Sequence, residues 1–153
     1  NNEMDDFVAW PGRPNYFGLI QGRANAVKGG KAPLSSMAPT LVFRNGQLQG
    51  LVGAAGGPMI ITSVVQLLLA AIDHGLDPKR AMQVPRIHHQ WRPQALFVEP
   101  ALRGTPAETT LQRMGHTLRT RKGMANAMFL WRSGQGGWQG AADPRRVGTA
   151  GGF

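Results

Sequence analysis

TLVFRNGQLQGLVGAAGGPMIITSVVQLLLAAIDHG, residues 40–75, is the stretch that decides the architecture. Thr40 to Arg44 and Gln47 to Gly53 are β-branched or apolar runs flanking Asn45-Gly46, the dipeptide best suited to two positive φ angles in a tight hairpin turn. The second run enters Gly53-Ala54-Ala55-Gly56-Gly57-Pro58, and Met59 to His74 then reads as a helix with Gly75 just beyond its end. Ile60, Val64, Leu67, Leu68, Ala71 and Ile72 mark one face. Ile61, Val65 and Leu69 widen the apolar arc so far that the helix is expected to be largely buried.

Downstream, Pro78 opens a short helix to Gln83, and Pro85 and Pro93 bracket an extended segment, Arg86-Ile87-His88-His89-Gln90-Trp91. Leu96 to Glu99 predicts a short strand. Thr105, Pro106 and Glu108 occupy N-cap, N1 and N3 of a helix reaching Met114 and stopped by Gly115. Thr117 to Arg121, Ala125 to Trp131 and Trp138 to Ala142 complete the strands, with Ser133 to Gly137 as the last hairpin turn. Strands on either side of two helices favour an α+β layered domain, helices on antiparallel sheet, over a doubly wound parallel one. Upstream, Ala9 to Lys31 is rich in glycine and proline and lacks periodicity, so residues 9–31 read as a lid or binding loop with Tyr16-Phe17 available to close it.

The 153 residues suit a single domain, 1–153, with one core, and 42% hydrophobic content argues against disorder. The first residue is not methionine, so a processed or truncated piece of a longer product is expected. No apolar run spans a bilayer, since Met59 to Ile72 is interrupted by Thr62, Ser63 and Gln66. Absence of cysteine removes disulfides and thiolate chemistry. Seventeen Lys and Arg against eight Asp and Glu give a net charge of +9, but the basic residues are scattered and no nucleic-acid recognition motif accompanies them.

Four groups carry candidate chemistry. Gly56 and Gly57 end a strand and begin a helix, where unhindered amides share the positive end of the helix dipole and suit an oxyanion; a plain tight turn fits the same pattern. Ser35 and Ser36, in the turn Pro33-Leu34-Ser35-Ser36-Met37, fit a nucleophile, ligand donors or turn hydroxyls. Glu3, Asp5 and Asp6 repel one another without a cation, and a ligand ammonium is a natural one; a solvated acidic start is the alternative. His88-His89 invites a metal, but neighbours on an extended segment face opposite ways, and packing or hydrogen bonding is the expected role. Trp10, Trp91, Trp131 and Trp138 are expected core or interface anchors.

Asn1-Asn2-Glu3-Met4-Asp5-Asp6-Phe7, Pro33 to Thr40, Gly53 to Gly57, Pro85-Arg86-Ile87-His88-His89-Gln90 and Ala142-Asp143-Pro144-Arg145 together resemble, in order, the small subunit of γ-glutamyltransferase, also called γ-glutamyltranspeptidase or glutathione hydrolase. The resemblance implies part of a four-layer αββα sandwich, the N-terminal-nucleophile hydrolase fold, cut from an autoproteolytic zymogen. It implies γ-glutamyl transfer from glutathione or related compounds to water or amines through an acyl-enzyme, with no cofactor and no metal. Glu3 and Asp6 would bind the substrate ammonium, Ser35 and Ser36 its carboxylate, and Gly56 and Gly57 would serve the oxyanion; Phe17 would sit on the lid, where several bacterial relatives carry tyrosine. The nucleophilic threonine of the family opens its small subunit before the Asn1 motif and is absent from the chain, which by itself is expected to be inactive. The implied partner is the large subunit of the same precursor, and the implied location is periplasmic or secreted. Alternatives are a cephalosporin or glutaryl acylase, which needs no ammonium pocket, and a non-catalytic basic domain that binds a partner.

Overall fold

The computed structural model describes residues 4–134 and 136–152. Strands β1 (Thr40–Arg44) and β2 (Gln47–Ala55) form the expected hairpin, with Asn45 and Gly46 at φ 52° and 77°. Helix α1 (Met59–Ile72) follows two glycines later, then α2 (Pro78–Gln83), β3 (Ile87–His88), β4 (Leu96–Val98), α3 (Pro106–Arg113), β5 (Leu118–Thr120), β6 (Asn126–Arg132) and β7 (Trp138–Ala142). Cap chemistry places two helices as predicted: the Asp77 side chain accepts from the Arg80 N–H and the Thr105 side chain from the Glu108 N–H.

The main sheet has the order β1-β2-β6-β7 and is antiparallel throughout. Period-two alternation gives it two unlike faces. Val52, Ala127 and Phe129 point under the helices and form one core with Ile60, Val64, Leu67, Ala70 and Ala71 of α1 and Ala81 and Met82 of α2. Leu41, Phe43, Met128 and Leu130 point the other way and stay exposed. α1 departs from the expectation of a largely buried helix: Ile61, Val65, Leu69 and Ile72 are between 47% and 58% exposed. A helix on a single sheet buries one stripe, and among the described residues nothing covers the other. Of the tryptophans, Trp131 packs on the core, whereas Trp10 and Trp91 are exposed.

A second sheet, β3-β4-β5, departs from antiparallel pairing: β4 and β5 run parallel. The crossover through α3 returns the chain in the same direction, as a strand–helix–strand connection does.

A buried ionic cluster ties the two sheets. Arg86, 2% exposed, donates to Asp143 Oδ2 at 2.7 Å and to the Met124 carbonyl at 2.9 Å. Arg145 bridges Glu99 Oε2 at 2.5 Å and Asp143 Oδ1 at 3.2 Å, and also donates to the Met82 and Val84 carbonyls. Burial opposes the negative charge of Asp143, but the Ala127 N–H and the Arg86 charge hold its carboxyl below the ordinary value; burial likewise opposes Glu99, which Arg145 and the Arg86 N–H hold down. Burial chiefly lowers the Arg86 pKa, with Arg145 acting the same way and Asp143 opposing it.

Candidate active site

Three chain segments meet at one edge of the main sheet. Thr40 pairs with Val52 and Asn126 with Ala55, so the chain entering β1, the chain leaving β2 and the chain entering β6 lie together there. The chain that leads from the serine turn and the chain that enters the Gly56-Gly57 turn therefore meet the sheet at this end, and Ala38, between Ser36 and β1, packs on the core.

The glycine turn is conformationally and sterically committed. Gly56 has φ 146° and Gly57 φ 57°. A Cβ on Gly56 would lie 2.7 Å from the Ala125 Cα, and one on Gly57 would lie 2.6 Å from the Phe17 ring. Pro58 caps α1 without a side-chain hydrogen bond, and the Gly57 carbonyl accepts from the Ile60 N–H at 3.0 Å. Among the described residues no acceptor takes the Gly57 N–H, which stands at the start of α1 where the helix dipole is positive.

Residues 9–31 fold into a loop held by two isolated bridges. Val8 bridges Ala26 at its base, and Pro14 bridges Ile20 around its tip. Within the tip, Asn15 Oδ1 accepts from the Phe17 and Leu19 N–H groups at 3.0 and 2.9 Å. Phe17 turns inward onto Gly57, while Tyr16, edge-on to it at 5.2 Å, is 93% exposed.

Asn25, 6% exposed, organises the base of the loop. Its Nδ2 donates to the Asp6 carbonyl at 2.6 Å and to Gln21 Oε1, and its Oδ1 accepts from the Leu34 N–H at 3.1 Å. One amide thus joins the acidic segment to the residue before Ser35. Asp6 and Ser36 are half-buried, and Ser35 Oγ accepts from the Met37 N–H at 3.2 Å. Glu3, with Asn1 and Asn2, lies outside the described residues.

His88 and His89 face opposite ways, His88 buried and His89 exposed. His88 Nδ1 is 2.9 Å from Thr62 Oγ1, its Nε2 is 2.8 Å from Gln90 Oε1, and its ring stacks with Phe97. Burial chiefly lowers its pKa, the Gln90 hydrogen bond opposing and Arg121 and His89 adding to the effect. Among the described residues no group of three or more potential metal-ligating side chains assembles, and no helix is long and apolar enough to cross a membrane.

The whole chain, residues 1–153, matches the family model described as gamma-glutamyltranspeptidase. The chain belongs to the γ-glutamyltranspeptidase family. It is 43% identical over 149 residues to the glutathione hydrolase proenzyme of Escherichia coli (strain K12), a match covering 96% of this chain and 25% of that protein. A γ-glutamyltranspeptidase mutant of Helicobacter pylori superposes with a TM-score of 0.85 at 40% identity, covering 95% of this chain and 80% of that one. The cephalosporin acylase of Bacillus halodurans is more distant, with a TM-score of 0.69 at 28% identity, covering 84% of this chain and 25% of that one. The fold is the N-terminal-nucleophile hydrolase fold shared by these γ-glutamyltranspeptidases and acylases. The chain spans about a quarter of the length of the curated relative.

Asn25, Thr62 and Gln90 were not singled out by sequence reasoning. Gln90 closes the His88-His89-Gln90 run, so the signal for it was present; a polar asparagine in a loop gives none, because only tertiary burial distinguishes it from a solvated one.

Proposed function

We propose that this chain supplies the substrate-binding and oxyanion-stabilising part of a γ-glutamyltransferase that cleaves the γ-glutamyl amide of glutathione and related compounds. The observation that carries the reading is the Gly57 turn: an N–H without an acceptor among the described residues, at the start of α1, with Phe17 of the 9–31 loop resting against the same glycine. Gly56 and Gly57 amides would stabilise the oxyanion that develops on acyl transfer, a donor of this kind lowering the barrier by about 3 kcal/mol. Glu3 and Asp6 would hold the substrate ammonium, and Ser35 and Ser36 its carboxylate. The 9–31 loop would act as the lid.

The attacking threonine would come from outside these 153 residues, the acyl-enzyme then passing to water or an amine. Proenzyme relatives support a larger precursor. The exposed apolar face of Leu41, Phe43, Met128 and Leu130 would meet the rest of it, as the second sheet of the sandwich.

Comparing γ-glutamyl and glutaryl anilide hydrolysis by the full-length protein tests the reading. Preference for the γ-glutamyl compound is expected; preference for the glutaryl compound would favour an acylase and overturn it.

A further inference from the structure

We infer that Gln90, oriented by His88, is the positioning residue that fixes the tip of the 9–31 loop over Gly57. This rests on the proposed reading of the Gly57 turn as the oxyanion site. Gln90 Nε2 donates to the Phe17 carbonyl at 3.0 Å and to the Arg92 carbonyl at 3.1 Å. Among the described residues this is the hydrogen bond that joins segment 15–19 to the body of the protein, because the Asn15 bonds are internal to the tip.

The orientation of Gln90 follows from donor and acceptor counting. Two carbonyls engage its NH2, so its Oε1 faces His88 and accepts the Nε2–H at 2.8 Å. A neutral His88 protonated at Nε2 then presents a lone pair at Nδ1, which takes the single Thr62 hydroxyl hydrogen at 2.9 Å, nearer than the Met59 carbonyl that competes for it at 3.2 Å. Thr62 completes the first turn of α1, the helix that the Gly57 turn opens. Gln66 makes the base of this chain rigid: its side chain donates to the Thr62 and Ile87 carbonyls and accepts from the Ile87 N–H, all between 2.7 and 2.9 Å. A continuous polar path therefore runs from α1 through Thr62, His88 and Gln90 to the backbone of Phe17. Its effect is to set the fraction of time the Phe17 ring covers Gly57, a positioning role rather than a chemical one.

Two variants of the full-length protein test this. Gln90→Met fills similar volume without hydrogen bonds; Gln90→Glu keeps an acceptor for His88 but has no donor for the Phe17 carbonyl. Both are expected to raise chymotryptic cleavage after Tyr16 or Phe17 roughly tenfold, the loss of about one to two net hydrogen bonds, with little change in melting temperature. Both should also raise KM for a γ-glutamyl anilide several-fold while leaving kcat within about twofold, because substrate retention rather than bond making is weakened. Unchanged cleavage in the two variants overturns the inference, as does increased cleavage with kcat and KM both unaltered in a protein active on the γ-glutamyl compound. Should Gln90→Met melt early, Gln90→Glu decides. A protein inactive on γ-glutamyl substrates that still shows increased cleavage refutes the proposed function and leaves the anchoring role of Gln90 standing.

Discussion

Replacing Gly57 by alanine imposes backbone strain and loop contact at the same atom, and a second change at Phe17 separates the two. The new Cβ would lie 2.6, 2.7 and 2.8 Å from three carbons of the Phe17 ring, against an ordinary contact of about 3.5 Å or more, so the ring must retreat by roughly 1 Å. Holding alanine at φ 57° costs about 1 kcal/mol, and crowding the ring adds about 1–2 kcal/mol if the loop resists. Gly57→Ala in the full-length protein should therefore lower stability by about 2–3 kcal/mol in urea denaturation. Adding Phe17→Ala should remove the crowding but not the backbone strain. The double variant should consequently be about 1–2 kcal/mol more stable than the sum of the single changes allows. Gly56→Ala provides the contrast: its Cβ would meet the Ala125 backbone at 2.7 Å, which Phe17→Ala does not relieve, so those two costs should add. Strict additivity for Gly57→Ala with Phe17→Ala would refute the contact between the loop tip and the glycine turn.

Arg86→Met should cost about 3 kcal/mol because it takes from buried Asp143 the nearer of its two cations, Arg145 remaining at 3.2 Å, and Arg86→Met combined with Asp143→Leu should recover part of that loss; equilibrium unfolding of the two variants measures it. Glu99 and Asp143 have folded-state pKa values below the ordinary 4.5 and 3.8, so the unfolded chain takes up protons first as pH falls. Their contribution to stability should be complete above about pH 5 and fade progressively below those ordinary values, and Asp143→Asn should flatten the acid limb of a stability–pH profile. His88 acts with the same sign in a higher window: its lowered pKa makes stability decline as pH falls through 6.5, and His88→Asn should remove that component. Asn25→Ala should lower stability by about 1–3 kcal/mol by removing the hydrogen bonds to the Asp6 carbonyl and the Leu34 N–H, and should raise KM for a γ-glutamyl anilide; unchanged KM would separate Asn25 from the binding site.

Local chemistry made much of the fold legible. Asn45-Gly46 specifies its turn through two positive φ angles, and Thr105-Pro106 starts α3 through a cap and a proline that needs no donor. The burial of α1 was not legible in the same way. Periodicity records which side chains are apolar but not which surface reaches them, so the outer face of Ile61, Val65, Leu69 and Ile72 stands exposed. The parallel pairing of β4 with β5 also escaped the strand pattern, because direction depends on how the intervening helix crosses over.

The candidate site shows the same division. Serine turn, glycine turn and loop were visible as separate motifs whose order supported a family resemblance, and the family match extends over the whole chain. Sequence alone determined the turns, caps and hydrophobic periods, since each depends on φ preferences and side-chain patterns spanning a few residues. Only the tertiary structure decided that Phe17 rests on Gly57, that Asn25 joins Asp6 to Leu34, and that Gln90 reaches the loop tip from 73 residues away. These contacts arise from strand register and packing between distant segments, for which no local periodicity codes.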